Sequence, residues 1–346
     1  MSDHKKFMSR CIELAYGGLG QVAPNPMVGC VIVNEGEIIG EGFHHKYGEA
    51  HAEVNAIASV SDKSLLKTST LYVNLEPCSH TGKTPPCSTL IIQHKIPFII
   101  TGNSDPNPLV NGRGITALKN AGFVIQEHIL EQECRELNKR FFCFHENKRP
   151  YIILKWAQSA DGFIDADRSK KEDKPARISN AESRKLLHKW RSEEMAIMVG
   201  TNTALLDNPM LTVREWEGKN PVRVVPDKWL RIPKHNHLLD GSTPTIVFTA
   251  TQKVPERNIE YVQIDFEKNI ASQMLAELYD RQIQSVIIEG GEQLLRTFIS
   301  EDLFDEARVF TSKKKLEKGV KAPLLDIEPV SRENISGDEL LIYNKP

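Results

Sequence analysis

No stretch of this sequence is apolar for long enough to cross a membrane. Spanning takes about 20 residues, and the longest apolar runs are short segments such as VGCVIV at 28–33. Neither sign of charge is in excess: 44 basic side chains stand against 46 acidic ones, leaving a formal net charge of −2, which disfavours a broad grip on nucleic acid. Cysteine is scarce. Six occur, Cys11, Cys30, Cys78, Cys87, Cys134 and Cys143, all in the first 150 of 346 residues, which is sparse for a disulfide framework in a chain of this length. Low-complexity segments and short-period repeats are also missing, which excludes a solenoid. The start, MSDHKKFMSRCIELAYGGLG, carries basic residues but continues as an amphipathic helix rather than the unbroken apolar core of a secretory leader. It is expected to be retained, and the protein to be soluble, cytoplasmic and without membrane or nucleic-acid partners.

What is present is a globular mixture, 40% apolar and 26% charged, long enough for two domains that each bury a core. In the first half VGCVIV and EIIGEGF flank Asn34-Glu35-Gly36 and read as a hairpin. Helices and strands then alternate: HAEVNAIASV helical, TLYVNLEP extended, CSTLIIQHK helical, PFIITGN extended, GITALKNAG helical and closed by Gly122, FVIQE extended. HENKRP at 145–150 loses periodicity and gathers charge, so it is expected to link domains spanning 1–147 and 148–346. The second half opens with the strand YIILKWAQS, and Ser179 and Glu182 frame a capping box before a helix to about Arg191. AIMVG, PVRVV, TIVFTA and SVIIEGG follow as strands, with IASQMLAELYDRQ and GEQLLRTFIS as helices. Both halves are predicted to be α/β.

Two of the cysteines are spaced for a metal. Zinc takes four ligands in a tetrahedron and prefers imidazole nitrogen and thiolate sulfur; His51, Cys78 and Cys87 supply three. The open fourth position is what separates a catalytic zinc from a structural one. Glu53, two residues beyond His51, is placed to carry protons without ligating. His-x-Glu followed by Pro-Cys and a second Cys is the layout of zinc nucleobase deaminases. Here eight residues separate the two cysteines where two are usual. A zinc-stapled binding module would need a fourth protein ligand, for which His44, His45 and His80 are available; a nucleic-acid deaminase would have no use for the second half.

PNPMVGCVIV, HAEVNAI and EPCSHTGKTPPC, in this order, closely resemble the deaminase half of the bifunctional riboflavin-biosynthesis deaminase/reductase family, and the resemblance covers essentially the whole chain. It implies an N-terminal cytidine-deaminase-like α/β/α sandwich and a C-terminal dihydrofolate-reductase-like α/β domain. It also implies zinc-hydroxide hydrolytic deamination of 2,5-diamino-6-(5-phosphoribosylamino)pyrimidin-4-one, then NADPH-dependent reduction of the ribosyl group to ribityl. The product would be 5-amino-6-(5-phosphoribitylamino)uracil. Implied substrate contacts in the first half are Asn25, His44, Lys83, Asp105 and Asn107. An Asn suits a pyrimidinone edge because it donates and accepts, and a Lys meets phosphate as a point charge.

LKWAQSADG, VGTNTALLDNPMLTVR and IIEGG carry the resemblance into the second half. There it implies NADPH contacts at Ala157, Arg177, Thr203, Asp207, Gly290 and Gly291, substrate contacts at Arg191, Leu211, Arg214 and Glu289, and an active-site lysine at Lys155. Alone, Glu-Gly-Gly after a strand is not a dinucleotide fingerprint, lacking the Gly-x-Gly-x-x-Gly spacing. The family commonly has Trp where Arg177 stands, and TSKKKLEKGVKAP departs from its usual proline-containing strand and glycine loop.

Overall fold

In the strand GCVIVN, successive side chains point to two different buried layers, and that alternation builds the first half of the molecule. The computed structural model describes residues 3–79, 85–108, 110–168 and 175–345, which fall into two units, Met1–Lys148 and Arg149–Pro346. The first unit contains α1 (Asp3–Ala15), β1 (Gly29–Asn34), β2 (Glu37–Phe43), α2 (Ala52–Ser59), β3 (Thr70–Leu75), α3 (Cys87–His94), β4 (Phe98–Asn103), α4 (Arg113–Asn120), β5 (Val124–Gln126), α5 (Glu131–Leu137) and α6 (Lys139–Asn147). Its sheet is ordered β2-β1-β3-β4-β5. β1 runs antiparallel to both neighbours, whereas β3, β4 and β5 are parallel.

Cys30 and Ile32 of β1 face Ala52, Ala56 and Ile57 of α2, Ile91 of α3 and Leu118 of α4 in one core layer. Val31 and Val33 face Phe7, Met8 and Cys11 of α1 and Cys134 of α5 in the other. Each Val, Ile, Leu, Phe or Met side chain of these layers contributes about 1.5–3 kcal/mol when taken fully out of water, so a one-residue slip of β1, which would exchange the two layers, is strongly disfavoured. HENKRP is not a linker throughout. Its first three residues close α6, which is anchored by the buried Phe141, Phe142 and Phe144.

The second unit contains β6 (Tyr151–Gln158), β7 (Phe163–Asp165), α7 (Ala181–Glu193), β8 (Ala196–Met198), α8 (Thr201–Asp207), β9 (Val222–Pro226), β10 (Thr245–Thr249), β11 (Ile259–Gln263), α9 (Ile270–Asp280), β12 (Ser285–Ile288), α10 (Glu292–Ser300), β13 (Glu306–Thr311), β14 (Val320–Lys321), β15 (Ser331–Ile335) and β16 (Asp338–Asn344). The main sheet is ordered β11-β10-β9-β8-β12-β6-β13-β16-β15, and β14 pairs with β7 separately. Strands β6 and β8 to β13 are parallel, and β16 and β15 return antiparallel. A parallel sheet is covered on both faces: α9 and α10 pack on one, while Ala204 of α8 joins Ile197, Val225 and Val247 on the other.

The cap of α7 lies one residue later than the spacing predicts. Asn180, not Ser179, is the N-cap, its side chain accepting from the Ser183 N–H at 2.8 Å. Glu182 is then the second helical residue, one short of the position from which a capping box closes. Among the described residues no helix is long and apolar enough to cross a membrane.

Candidate functional site

His51 is the N-cap of α2, yet its side chain makes no capping bond. Its ring points at the two cysteines instead, Nδ1 lying 3.5 Å from Cys78 Sγ and 3.4 Å from Cys87 Sγ. A tetrahedral zinc with bonds of about 2.0–2.1 Å to nitrogen and about 2.3 Å to sulfur sets its N···S ligand edges at about 3.5–3.6 Å, so the donor set and its spacing fit zinc. Cys78 follows β3, and Cys87 opens α3 and donates its backbone N–H to Cys78 Sγ at 3.3 Å, bringing a helix N-terminus against the sulfur. The Cys78 thiol is held well below its ordinary value, first by its hydrogen bond with the Cys87 thiol and, against burial, by His51 and the Cys87 N–H. Glu53, in the first turn of α2 and only 3% exposed, contacts the Cys87 side chain; burial, then the Cys78 charge, pushes it up to about 7.

His44 does not complete the tetrahedron. Its Nδ1 bonds the Ala50 carbonyl at 3.0 Å and its Nε2 the Asn25 amide at 3.1 Å. A carbonyl only accepts, so the proton sits on Nδ1, and Nε2 accepts from Asn25 Nδ2. The ring packs edge-on against His51 with centroids 5.4 Å apart, and burial lowers its pKa. His45 stacks instead against Phe43, while Lys83 and His80 lie outside the described residues. Among those described, the metal-competent cluster is His51, Cys78 and Cys87 alone.

Asp105 and Asn107 occupy one loop after β4, the Asp105 carboxylate accepting the Asn107 N–H at 2.8 Å, and burial pushes Asp105 up to about 7. The residue that shapes this loop was not singled out from the sequence. Glu76, 4% exposed and two residues before Cys78, accepts four backbone N–H groups, those of Asp105, Gly112, Gly114 and Ile115, at 2.9–3.2 Å. Its only signal was its place in the Glu-Pro-Cys run.

In the second unit Arg191 of α7 grips Glu289, at the end of β12, through two hydrogen bonds of 3.0 and 2.9 Å, and its third arm reaches the Thr212 carbonyl at 3.2 Å. Burial would raise Glu289, but Arg191 and Lys155 hold it below its ordinary value. Burial lowers Lys155, against the pull of Glu289, so Lys155, Arg191 and Glu289 form one charged cluster. Arg214 lies on the segment that begins at Leu211, and its guanidinium donates to Thr212 Oγ1 at 2.8 Å.

The glycine turn fits a pyrophosphate-bearing cofactor. Gly290 has φ +106°, Gly200 donates to its carbonyl at 2.7 Å, and Gly291 caps α10 without any side-chain bond to the first-turn N–H groups. A Cβ on Gly291 would stand 3.1 Å from Thr203 Oγ1, so Thr203, Gly290 and Gly291 meet. Asp207 is tied to Arg168, which also pairs with Asp165; Arg168 was not singled out either. Ala157 shares a face of β6 with Lys155. Arg177 is exposed, and its carbonyl accepts from Lys314 Nζ at 2.5 Å.

Residues 1–103 match the family described as the cytidine and deoxycytidylate deaminase zinc-binding region, and residues 150–315 match the RibD C-terminal domain. The chain is 38% identical to the riboflavin biosynthesis protein RibD of Aquifex aeolicus over 99% of its own length and 98% of that protein's. To the RibD of Bacillus amyloliquefaciens it is 39% identical over 88% and 83%. Among solved structures, a diaminohydroxyphosphoribosylaminopyrimidine deaminase/5-amino-6-(5-phosphoribosylamino)uracil reductase from Thermotoga maritima is 36% identical, with TM-score 0.89 and 99% of each chain covered. RibD of Acinetobacter baumannii is 30% identical at TM-score 0.87, with 98% of each covered.

Proposed function

This chain belongs to the RibD family, the bifunctional deaminase/reductases of riboflavin biosynthesis, and on that premise we propose how its own residues divide the two reactions. Residues 1–147 deaminate 2,5-diamino-6-(5-phosphoribosylamino)pyrimidin-4-one hydrolytically. Residues 148–346 reduce the ribosyl group with NADPH, giving 5-amino-6-(5-phosphoribitylamino)uracil. The observation that carries the assignment is the three-donor cluster of His51, Cys78 and Cys87 with Glu53 buried beside it.

His51 Nδ1 and the two sulfurs hold zinc, which when bound makes water nucleophilic at neutral pH. Glu53 would take one proton from the attacking water and pass it to the ring nitrogen, then take the second from the hydroxyl so added and pass it to the departing ammonia; a fixed carboxyl out of bulk solvent serves each transfer. By accepting one of the Asn25 amide hydrogens, His44 fixes the amide's orientation, and Asn25 Oδ1 would accept from the substrate's donor edge. Asp105 and Asn107 bind from the loop that Glu76 holds. Lys83 meets the phosphate.

In the second reaction bound NADPH would supply hydride to the ribose carbon, whose bond to the ring oxygen breaks, and that oxygen would take up one proton to become the hydroxyl. Thr203, Gly290 and Gly291 would hold the cofactor's phosphates, and Asp207, Ala157 and Arg177 would contribute further contacts to it. Glu289 fixes Arg191, Leu211 lines the substrate, Arg214 binds its phosphate, and Lys155 orients the ribose oxygen at the reacting carbon. Six cysteines with no disulfide among them support a cytoplasmic place of action, and the near-neutral charge a small-molecule substrate.

Ammonia release and NADPH oxidation, followed on the purified chain with the diaminopyrimidinone substrate, test the division. Chelation is expected to abolish ammonia release while the already deaminated substrate is still reduced in full. Loss of that reduction with the fold intact by circular dichroism would show the two activities to share one site.

A further inference from the structure

His188 has no part in the reactions as described, and we propose that it is a positioning residue of the reductase site, fixing through its Nδ1 the backbone from which Arg214 reaches the substrate. This rests on the assignment of Arg214 to the substrate phosphate.

His188 lies three residues before Arg191 on α7, so the two share a helix face, and it is 1% exposed. The Arg214 backbone N–H donates to His188 Nδ1 at 3.0 Å. A backbone N–H can only donate, so Nδ1 carries no proton and the ring is the neutral form with hydrogen on Nε2. Burial first, then the neighbouring Arg191 and Arg214, lowers the His188 pKa and preserves that lone pair.

The segment needs holding. Leu211 sits at φ +52°, a left-handed conformation that a residue with a Cβ adopts only at a cost. Four bonds compensate: Arg191 to the Thr212 carbonyl, Val213 N–H to Asn220 Oδ1 at 2.8 Å, Arg214 N–H to His188, and the Arg214 guanidinium to Thr212 Oγ1. Of the four, the His188 bond alone fixes the Arg214 main chain itself. Without it the guanidinium keeps its charge but loses its defined origin, which weakens sugar-phosphate binding and leaves the cofactor untouched.

Asparagine and glutamine separate this role from bulk packing. Asn carries an amide oxygen near the position of Nδ1, whereas Gln carries it one bond further out, near Nε2. In full-length protein, with the deaminated 5-amino-6-(5-phosphoribosylamino)uracil and NADPH varied in turn, His188→Ala is expected to raise the KM for the sugar phosphate about tenfold, the worth of one hydrogen bond. The KM for NADPH should stay unchanged. His188→Asn should recover most of the loss and His188→Gln should not. In an Arg214→Ala background the His188→Ala change should add nothing further. Equal behaviour of the Asn and Gln variants, a parallel rise in the KM for NADPH, or full additivity with Arg214→Ala would each overturn the proposal, and the Asn–Gln comparison stands even if the alanine variant fails to fold. If Arg214→Ala leaves the sugar-phosphate KM unchanged, the phosphate assignment itself falls and the proposal with it; if Arg214→Ala raises that KM while His188→Ala does not, only the proposal falls.

Discussion

The Arg191 guanidinium and the Glu289 carboxylate, 98 residues apart in sequence, meet in a two-bond pair whose side chains are 8% and 10% exposed, with Lys155 close enough to share the charge. Glu289→Ala would leave two cations facing each other in a buried site. Breaking such a pair from one side costs about 3–5 kcal/mol. All four tryptophans, Trp156, Trp190, Trp216 and Trp229, lie after residue 148, so their fluorescence reports the second unit. The urea midpoint of that signal is expected to fall by more than about 1 M. A shift below about 0.3 M would mean that water compensates the cations as well as Glu289 does.

Cys78→Ser removes the sulfur that both His51 and the α3 N-terminus approach. The variant is expected to lose most bound zinc, measured by elemental analysis, and all ammonia release. Full zinc content with normal deamination would remove Cys78 from the site.

Glu53→Gln keeps the size and burial of the side chain but cannot carry a proton. Zinc content and NADPH oxidation should match the parent, while deamination falls by about 10²–10⁴-fold. Deamination within about tenfold of the parent would assign the proton transfers elsewhere.

Lys155→Ala empties the position whose ammonium shares the Glu289 charge. Removing one donor aimed at a reacting oxygen lowers kcat by about 10²–10³-fold, and single-turnover reduction should show that loss with the KM for NADPH unchanged. A change confined to the KM for the sugar phosphate would make Lys155 a binding residue only.

The metal cluster was legible because its ligands lie at element ends inside one short motif, where few other demands act on a histidine or a cysteine. Asn25 and His44 were legible only through family resemblance, and the structure adds what no spacing could, that each fixes the other's orientation. The edge strand β15 has four exposed residues in five and thus no apolar alternation to read. In α6 the run Phe141 to Phe144 is buried throughout, while its last residues, His145 to Asn147, are polar and merge in sequence with the charged segment that follows. His188 reads in sequence as one polar residue on a charged helix; its partner is a backbone N–H 26 positions away, which leaves no trace in residue type.

Glu76 has a bearing on how this site can be re-engineered. Its carboxylate ties four points between Asp105 and Ile115 to the chain two residues before Cys78, and a Cβ on Gly114 would stand 1.9 Å from the Pro77 carbonyl. The loop is therefore not a detachable cassette. A graft that exchanges residues 104–115 to admit another heterocycle must reproduce both the four N–H groups that Glu76 accepts and the missing side chain at 114, or it will displace the end of β3 from which Cys78 departs. If Asp105 and Asn107 bind substrate as proposed, recognition is varied one side chain at a time far more readily than by transplanting the segment that bears them.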